Sequence, residues 1–132
     1  PMVIVGTSRG TVSAANIALR TSSPQVKGLI LTGSLVAADK SGSGLQNLPL
    51  DKLSIPLLFI HNRNDKCRVT PLGKVRQFAR KLKRAGVDAQ LRIVESRART
   101  SGHCTSRSPH GFLGIEAKVI AIMSEWIKEK AL

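Results

Sequence analysis

Short runs of apolar residues alternate along the chain with longer segments in which apolar residues recur every three or four positions. The runs predict four strands, at residues 2–5, 29–32, 56–60 and 89–94. The helical spacing predicts three helices, at residues 11–19, 71–85 and 115–130. The first three strands are apolar on both faces, as in a parallel sheet that is covered by helices on each side. The pattern therefore predicts one α/β domain over residues 1–132, a three-layer α/β/α sandwich with right-handed crossovers.

The predicted helices differ in how much of their surface is apolar. The helix at 11–19 is apolar nearly all round, which predicts a buried helix against the sheet. The helices at 71–85 and 115–130 each carry one apolar stripe, which we interpret as core. The segments at 33–50 and 95–109 lack periodicity and are expected to be loops, and the first contains SGSG at 41–44 and is expected to be flexible.

A candidate nucleophile lies in the turn that joins the first predicted strand to the first helix. Residues 6–10 read G-T-S-R-G, which is the G-x-S-x-G pattern between a strand and a helix. Such a turn holds Ser8 in a strained conformation with its hydroxyl above the sheet, and Gly6 and Gly10 have no side chains to collide across it. The alternative is that Ser8 only caps the helix that follows.

A nucleophilic serine needs a histidine base and an acid that orients the histidine, and both belong on loops at the carboxyl ends of strands. Asp65 follows the third predicted strand, and His110 lies between the fourth strand and the last helix. His110 would take the proton of Ser8 and return it to the leaving group, while Asp65 would stabilise the imidazolium. The competing residues are His61 and His103 for the base and Asp39 for the acid.

With three motifs in this order, the sequence resembles the α/β-hydrolase family along its whole length. The segments that carry the resemblance are IVGTSRG at 4–10, LSIPLLFIHNRND at 53–65 and HGF at 110–112. The resemblance implies a serine hydrolase that acts on a carboxylic ester or related acyl substrate through an acyl-enzyme, with Ser8, Asp65 and His110 as its triad and no cofactor. The resemblance also places the 33–50 loop where the family has a lid. This loop is short and polar, which predicts an open site.

The chain departs from the family because it starts at the strand that precedes the nucleophile. It therefore resembles the C-terminal half of the fold, and a missing N-terminal part of the same domain is expected. In the family, the backbone N–H of the residue after the nucleophile, here Arg9, is one oxyanion donor, and an earlier loop supplies the second. Loss of one donor lowers turnover by about 10²–10³-fold in a serine protease, so residues 1–132 alone are expected to be a poor enzyme. Without the preceding strands, the first strand is also expected to be an unprotected edge of the sheet.

The two cysteines fall close to the proposed acid and base. Cys67 comes two residues after Asp65, and Cys104 comes six residues before His110. Because the acid and histidine loops meet at one site, the two cysteines are expected to be neighbours, either as a disulfide or as two free, partly buried thiols. A disulfide would indicate an oxidising compartment, periplasmic or secreted.

Composition narrows the remaining function classes. Twenty-one Lys and Arg against eight Asp and Glu give a net charge of +13, and six of the basic residues lie at 74–84. This charge fits either a solvated face or weak binding to a polyanion, whereas three Phe, one Trp and no Tyr argue against base stacking and specific nucleic-acid binding. No transmembrane segment and no metal site is expected from the apolar runs and the Cys and His spacing. The alternative to the hydrolase is a non-catalytic fragment or interaction module, and a basic polyanion-binding protein is a third hypothesis.

Overall fold

A computed structural model describes residues 1–40 and 42–132, and within them the chain forms four strands and three α-helices. In chain order these are β1 (Met2–Thr7), α1 (Gly10–Arg20), β2 (Val26–Thr32), β3 (Leu57–Asn62), α2 (Leu72–Arg84), β4 (Ala89–Val94) and α3 (Glu116–Lys130). Short 3-10 helices lie in the connections at Leu45–Asn47, Leu50–Lys52 and Pro109–Gly111. The strands form one parallel sheet in the order β1-β2-β3-β4, so the predicted α/β fold with a parallel sheet is confirmed.

Two hydrophobic clusters lie on opposite faces of the sheet, because successive residues of a strand point to opposite sides. In β3, Leu57 and Phe59 belong to the cluster to which α1 and α2 contribute. Leu58 and Ile60 belong to the other cluster, which contains Trp126 of α3. All six residues of β3 are buried. The helices therefore cover the sheet from both sides, and the predicted three layers are confirmed.

The strand β1 forms one edge of the described sheet, as predicted, and is much less buried than β3. Met2 is 53% exposed and Val5 50%, so the expectation that β1 is covered on both faces is wrong. The neighbouring helix α1 buries Ala14 and Ala15 but leaves Ile17 57% exposed, so it is not buried all round. An edge strand and the helix beside it have neighbouring strands on one side only, so they are less buried than central elements. The apolar character of their residues does not show which strand lies at the edge.

The segment at 33–50 is more closely packed than its composition predicts. Leu35, Val36, Leu45 and Leu50 are each at most 3% exposed. The Leu45 N–H donates to the Leu35 carbonyl at 2.9 Å, which closes the segment on itself. The expectation of a flexible, polar loop is therefore wrong for these apolar positions, while Ser41, in the middle of the segment, lies outside the described residues.

Candidate active site

The turn between β1 and α1 presents Ser8 at the carboxyl end of β1. Ser8 has a φ of 54°, in the left-handed region that residues with a Cβ adopt rarely and that often marks functional sites. A Cβ on Gly6 would come within 2.6 Å of both Ala14 Cβ and the Gly10 carbonyl oxygen, so the turn requires glycine there. A Cβ on Gly10 would meet nothing within 4 Å. The expectation that both glycines avoid a collision therefore holds for Gly6 and is wrong for Gly10.

The Ser8 side chain faces a histidine instead of capping α1. The N-cap position of α1 is Arg9, and Ser8 Oγ lies 2.9 Å from His110 Nε2. The Ser8 main chain is held from two sides, since its N–H donates to the Thr32 carbonyl at 2.8 Å and its carbonyl accepts from the Thr11 hydroxyl at 2.6 Å. The interpretation of Ser8 as a helix cap is therefore wrong.

The imidazole of His110 is 3% exposed and is bounded on several sides. Its Nδ1 lies 2.8 Å from Asp65 Oδ2 and 3.1 Å from the Thr70 hydroxyl oxygen. Gly33, just after β2 and with a φ of +53°, lies against the ring, because a Cβ there would come within 3.1 Å of Cε1. A carboxylate opposite Nδ1 favours the tautomer with the proton on Nδ1. Nε2 is then an acceptor for the Ser8 hydroxyl.

The Asp65 carboxylate is 1% exposed and accepts hydrogen bonds on both oxygens. The Cys67 N–H donates to Oδ1 at 2.9 Å, and the Thr70 hydroxyl donates to Oδ2 at 3.0 Å. His110 Nδ1 and His61 Nε2 lie 2.8 and 3.1 Å from Oδ2. Burial alone would raise the pKa of Asp65, but the hydrogen bonds and the attraction of His110 outweigh it and hold that pKa well below its ordinary value of 3.8. Asp65 is therefore a carboxylate at neutral pH.

The three competing residues have other surroundings. His61 is fully buried, and its Nε2 lies 2.9 Å from a backbone carbonyl and 3.1 Å from Asp65. Asp39 forms an ion pair with the Arg9 guanidinium at 2.9 Å. His103 is exposed in the 95–109 loop. His61 is thus a second hydrogen-bond donor to Asp65, a role that the sequence did not indicate.

Cys67 and Cys104 form a disulfide, which confirms the predicted bridge and excludes two free thiols. Their Cα atoms are 4.7 Å apart, although 37 positions separate them in sequence. The Cys67 N–H donates to Asp65, and Cys104 lies in the loop that leads to His110. The bridge therefore ties the acid loop to the histidine loop.

Residues 1–40 and 42–132 contain no group of three or more His, Cys, Asp or Glu side chains that could hold a metal ion. None of the helices in these ranges is long and apolar enough to cross a membrane.

Comparison with known proteins shows which folds this chain resembles. No family model and no curated protein matches the sequence. Solved structures match its fold: esterase PE8 has 24% identity and a TM-score of 0.62, over 97% of this chain and 49% of its own. An esterase of the Planctomycetes species Thermogutta terrifontis has 19% identity and a TM-score of 0.65, over 96% of this chain and 54% of its own. A Pyrococcus horikoshii acylaminoacyl peptidase has 18% identity and a TM-score of 0.63, over 97% of this chain and 24% of its own.

The chain thus spans about half the length of the two esterases and about a quarter of the peptidase. At these identities the likeness shows the fold. The chain has an α/β-hydrolase-type fold, as its motifs predicted, and its structural neighbours are esterases and peptidases.

Proposed function

We propose that this chain carries the catalytic triad of a serine hydrolase that cleaves a carboxylic ester or related acyl substrate. The observation that supports it best is the continuous contact from Ser8 Oγ to His110 Nε2, at 2.9 Å, and from His110 Nδ1 to Asp65 Oδ2, at 2.8 Å. The structural neighbours add support, because several of them are esterases.

The reaction begins with attack of the Ser8 hydroxyl oxygen on the acyl carbon while His110 Nε2 takes the hydroxyl proton. The imidazolium that forms is stabilised by the Asp65 carboxylate opposite Nδ1. Collapse of the tetrahedral intermediate breaks the bond to the leaving alcohol, which receives the proton from Nε2. A water molecule then attacks the Ser8 ester by the same proton relay and releases the acid.

The negative oxygen of the tetrahedral intermediate needs hydrogen-bond donors. The Arg9 N–H follows Ser8 directly and belongs to the start of α1, where the first amides have no acceptor within the helix. The partial positive charge at a helix N-terminus also favours an anion there. We therefore assign the Arg9 N–H as one oxyanion donor.

Covalent labelling by a fluorophosphonate tests the proposal, because one reaction per molecule is detected even when turnover is slow. We expect one label, on Ser8, and its loss in Ser8→Ala and His110→Ala. Ser13→Ala is the matched control, since Ser13 is an exposed serine of α1 and its loss is expected to leave labelling intact. Folded protein whose Ser8 takes no label would overturn the triad and favour a non-catalytic module.

The disulfide supports a particular cellular compartment for such an enzyme. Disulfides persist in oxidising compartments, so the Cys67–Cys104 bridge supports a periplasmic or secreted location. Alkylation of the denatured protein without reductant is expected to add no label, and uptake of two labels would contradict this assignment.

A further inference from the structure

A charged cleft of about 180 Å³ lies next to the acid and histidine loops, and neither the core nor the proposed mechanism uses it. Its lining consists of Asn64, Lys66, Arg97, Arg99, His103 and Pro109. Asn64 and Lys66 flank Asp65 in sequence, and Pro109 precedes His110. The walls of the cleft are therefore continuous with the segments that carry the proposed acid and base.

The cleft has more positive than negative charge around it. Arg97 pairs with Glu95 at 3.3 Å, and Glu95 also lies 4.0 Å from Arg63. Within residues 1–40 and 42–132, Lys66 and Arg99 form no ion pair, and the Arg99 guanidinium donates to a backbone carbonyl at 3.3 Å. One lysine and one arginine thus face the cleft without a counter-ion among the described residues.

The disulfide joins two walls of the cleft. Lys66 directly precedes Cys67 and His103 directly precedes Cys104, and the Cα atoms of the two cysteines are 4.7 Å apart. The covalent bond therefore keeps these two walls of the cleft close together whether or not an anion is bound.

We propose that this cleft binds a phosphate or carboxylate group of the substrate, so that the esters cleaved at Ser8 are anionic. The inference rests on the proposed hydrolase function. The volume of the cleft is below the roughly 300–1,000 Å³ of sites for drug-sized ligands, which suits a single charged group. A guanidinium matches the planar geometry of a carboxylate or the oxygens of a phosphate, and a lysine adds a point charge.

Binding is measured first on Ser8→Ala protein, so that the result does not depend on hydrolysis. Inorganic phosphate and acetate are titrated at constant ionic strength, and the thermal midpoint and heat of binding are recorded. We expect saturable binding that raises the thermal midpoint by mass action. Lys66→Gln with Arg99→Gln is expected to weaken the affinity about tenfold or more. Lys83→Gln with Arg84→Gln, on the exposed face of α2, removes the same charge and is expected to keep the affinity.

The kinetic measurement uses three nitrophenyl esters of similar size, one neutral, one with a carboxylate and one with a phosphate on the acyl group. The ratio of kcat/KM for an anionic ester to that for the neutral ester is expected to fall about tenfold in the cleft double variant but not in the α2 double variant. The ester with the larger fall identifies which anion the cleft takes.

Different results would overturn different parts of the proposal. No saturable binding, or equal weakening in both double variants, would overturn the site and leave a diffuse attraction by the net charge. An unchanged selectivity ratio would overturn the substrate class. Saturable binding in a protein that cleaves none of the esters and takes no fluorophosphonate would support the anion site while overturning the hydrolase function.

Discussion

The two sides of the candidate active site are held in position by different means. On the nucleophile side, β1 is an edge strand with Val5 half exposed, and Ser8 is held by a local turn together with one main-chain hydrogen bond to Thr32 of β2. On the acid and base side, β3 is buried along its length. Asp65 and His110 are there joined by hydrogen bonds and by a disulfide between distant segments.

This difference separates the effects that mutations should have. A local turn depends on the backbone conformations of a few residues, so its changes should act mainly on Ser8. Contacts between distant segments restrict the whole chain, so changes at Asp65 or the disulfide should lower the stability as well as the reactivity.

Among the residues that do not themselves contact Ser8, the acid is expected to show the largest effect on reactivity. In a serine protease, replacing the triad aspartate by asparagine lowers kcat about 10⁴-fold by favouring the wrong histidine tautomer, and Asp65→Asn is expected to lower the rate of fluorophosphonate labelling by a similar factor. Asp51→Asn, which changes an exposed carboxylate in the 3-10 helix Leu50–Lys52, is the matched control. A labelling rate within about tenfold of the wild type would remove Asp65 from the proposed triad.

Removal of the disulfide is expected to have the largest effect on stability. Loop closure over a separation of 37 residues corresponds to about 4 kcal/mol on the chain-entropy model, so Cys67→Ala with Cys104→Ala should lower the free energy of unfolding by up to that amount. Urea unfolding measures it, and reduced wild-type protein should unfold at the same urea concentration as the double variant. An unchanged midpoint would show that the hydrogen bonds of Asp65 suffice to join the two loops.

The free energy of unfolding should also depend on pH, because of the Asp65 carboxylate. The pKa of Asp65 is lower in the folded chain than its ordinary value of 3.8, so between the two pKa values the unfolded chain binds more protons. The stability that the carboxylate contributes is complete above pH 3.8 and is lost as the pH falls toward the folded pKa. Urea unfolding between pH 6 and pH 2 should show the wild-type advantage over Asp65→Asn shrinking with falling pH (roughly the range in which an aspartate titrates). An advantage that stays constant would contradict the assignment.

Substitutions at two glycines, one on each side of the site, test this comparison of the nucleophile side with the acid and base side. Gly33→Ala places a Cβ within 3.1 Å of the His110 ring at a φ of +53°, so it is expected to lower the free energy of unfolding by about 1–2 kcal/mol and to slow labelling of Ser8. Gly10→Ala, in the nucleophile turn, adds a Cβ with nothing within 4 Å and should change stability by less than about 1 kcal/mol, toward greater stability. Equal labelling rates in the two variants would show that the histidine can move away from Gly33, and equal stabilities would contradict the strain expected at a φ of +53°.

Local sequence patterns predicted the elements well and their burial less well. The strand predicted at 89–94 coincides with β4, because an apolar run between turn residues is a local signal. The apolar pattern alone missed the exposure of Val5 and Ile17, because burial depends on which strand lies at the edge of the sheet. The packing of the 33–50 segment was missed because its Gly and Ser residues hid apolar positions such as Leu45.

The same distinction applies to the site. Ser8, Asp65 and His110 stood in motifs that local sequence displays, and the structure places them in contact. Gly33 and Thr70 were missed, since their importance comes from contact with a histidine in a distant segment. No spacing along the chain indicates such a contact, so only the folded geometry could identify these two residues.

The smallest effect is expected from replacing Asp39, the alternative candidate for the acid. Asp39 pairs with an Arg9 guanidinium whose side chain is 51% exposed, and solvent screens such a pair. Asp39→Asn is therefore expected to keep the labelling rate within about twofold of the wild type, and any loss of stability should disappear at high salt. A loss of labelling as large as that of Asp65→Asn would reverse the assignment of the two carboxylates. Because Arg9 also supplies the proposed oxyanion amide, an intermediate and salt-sensitive loss would instead show that this ion pair orients the amide.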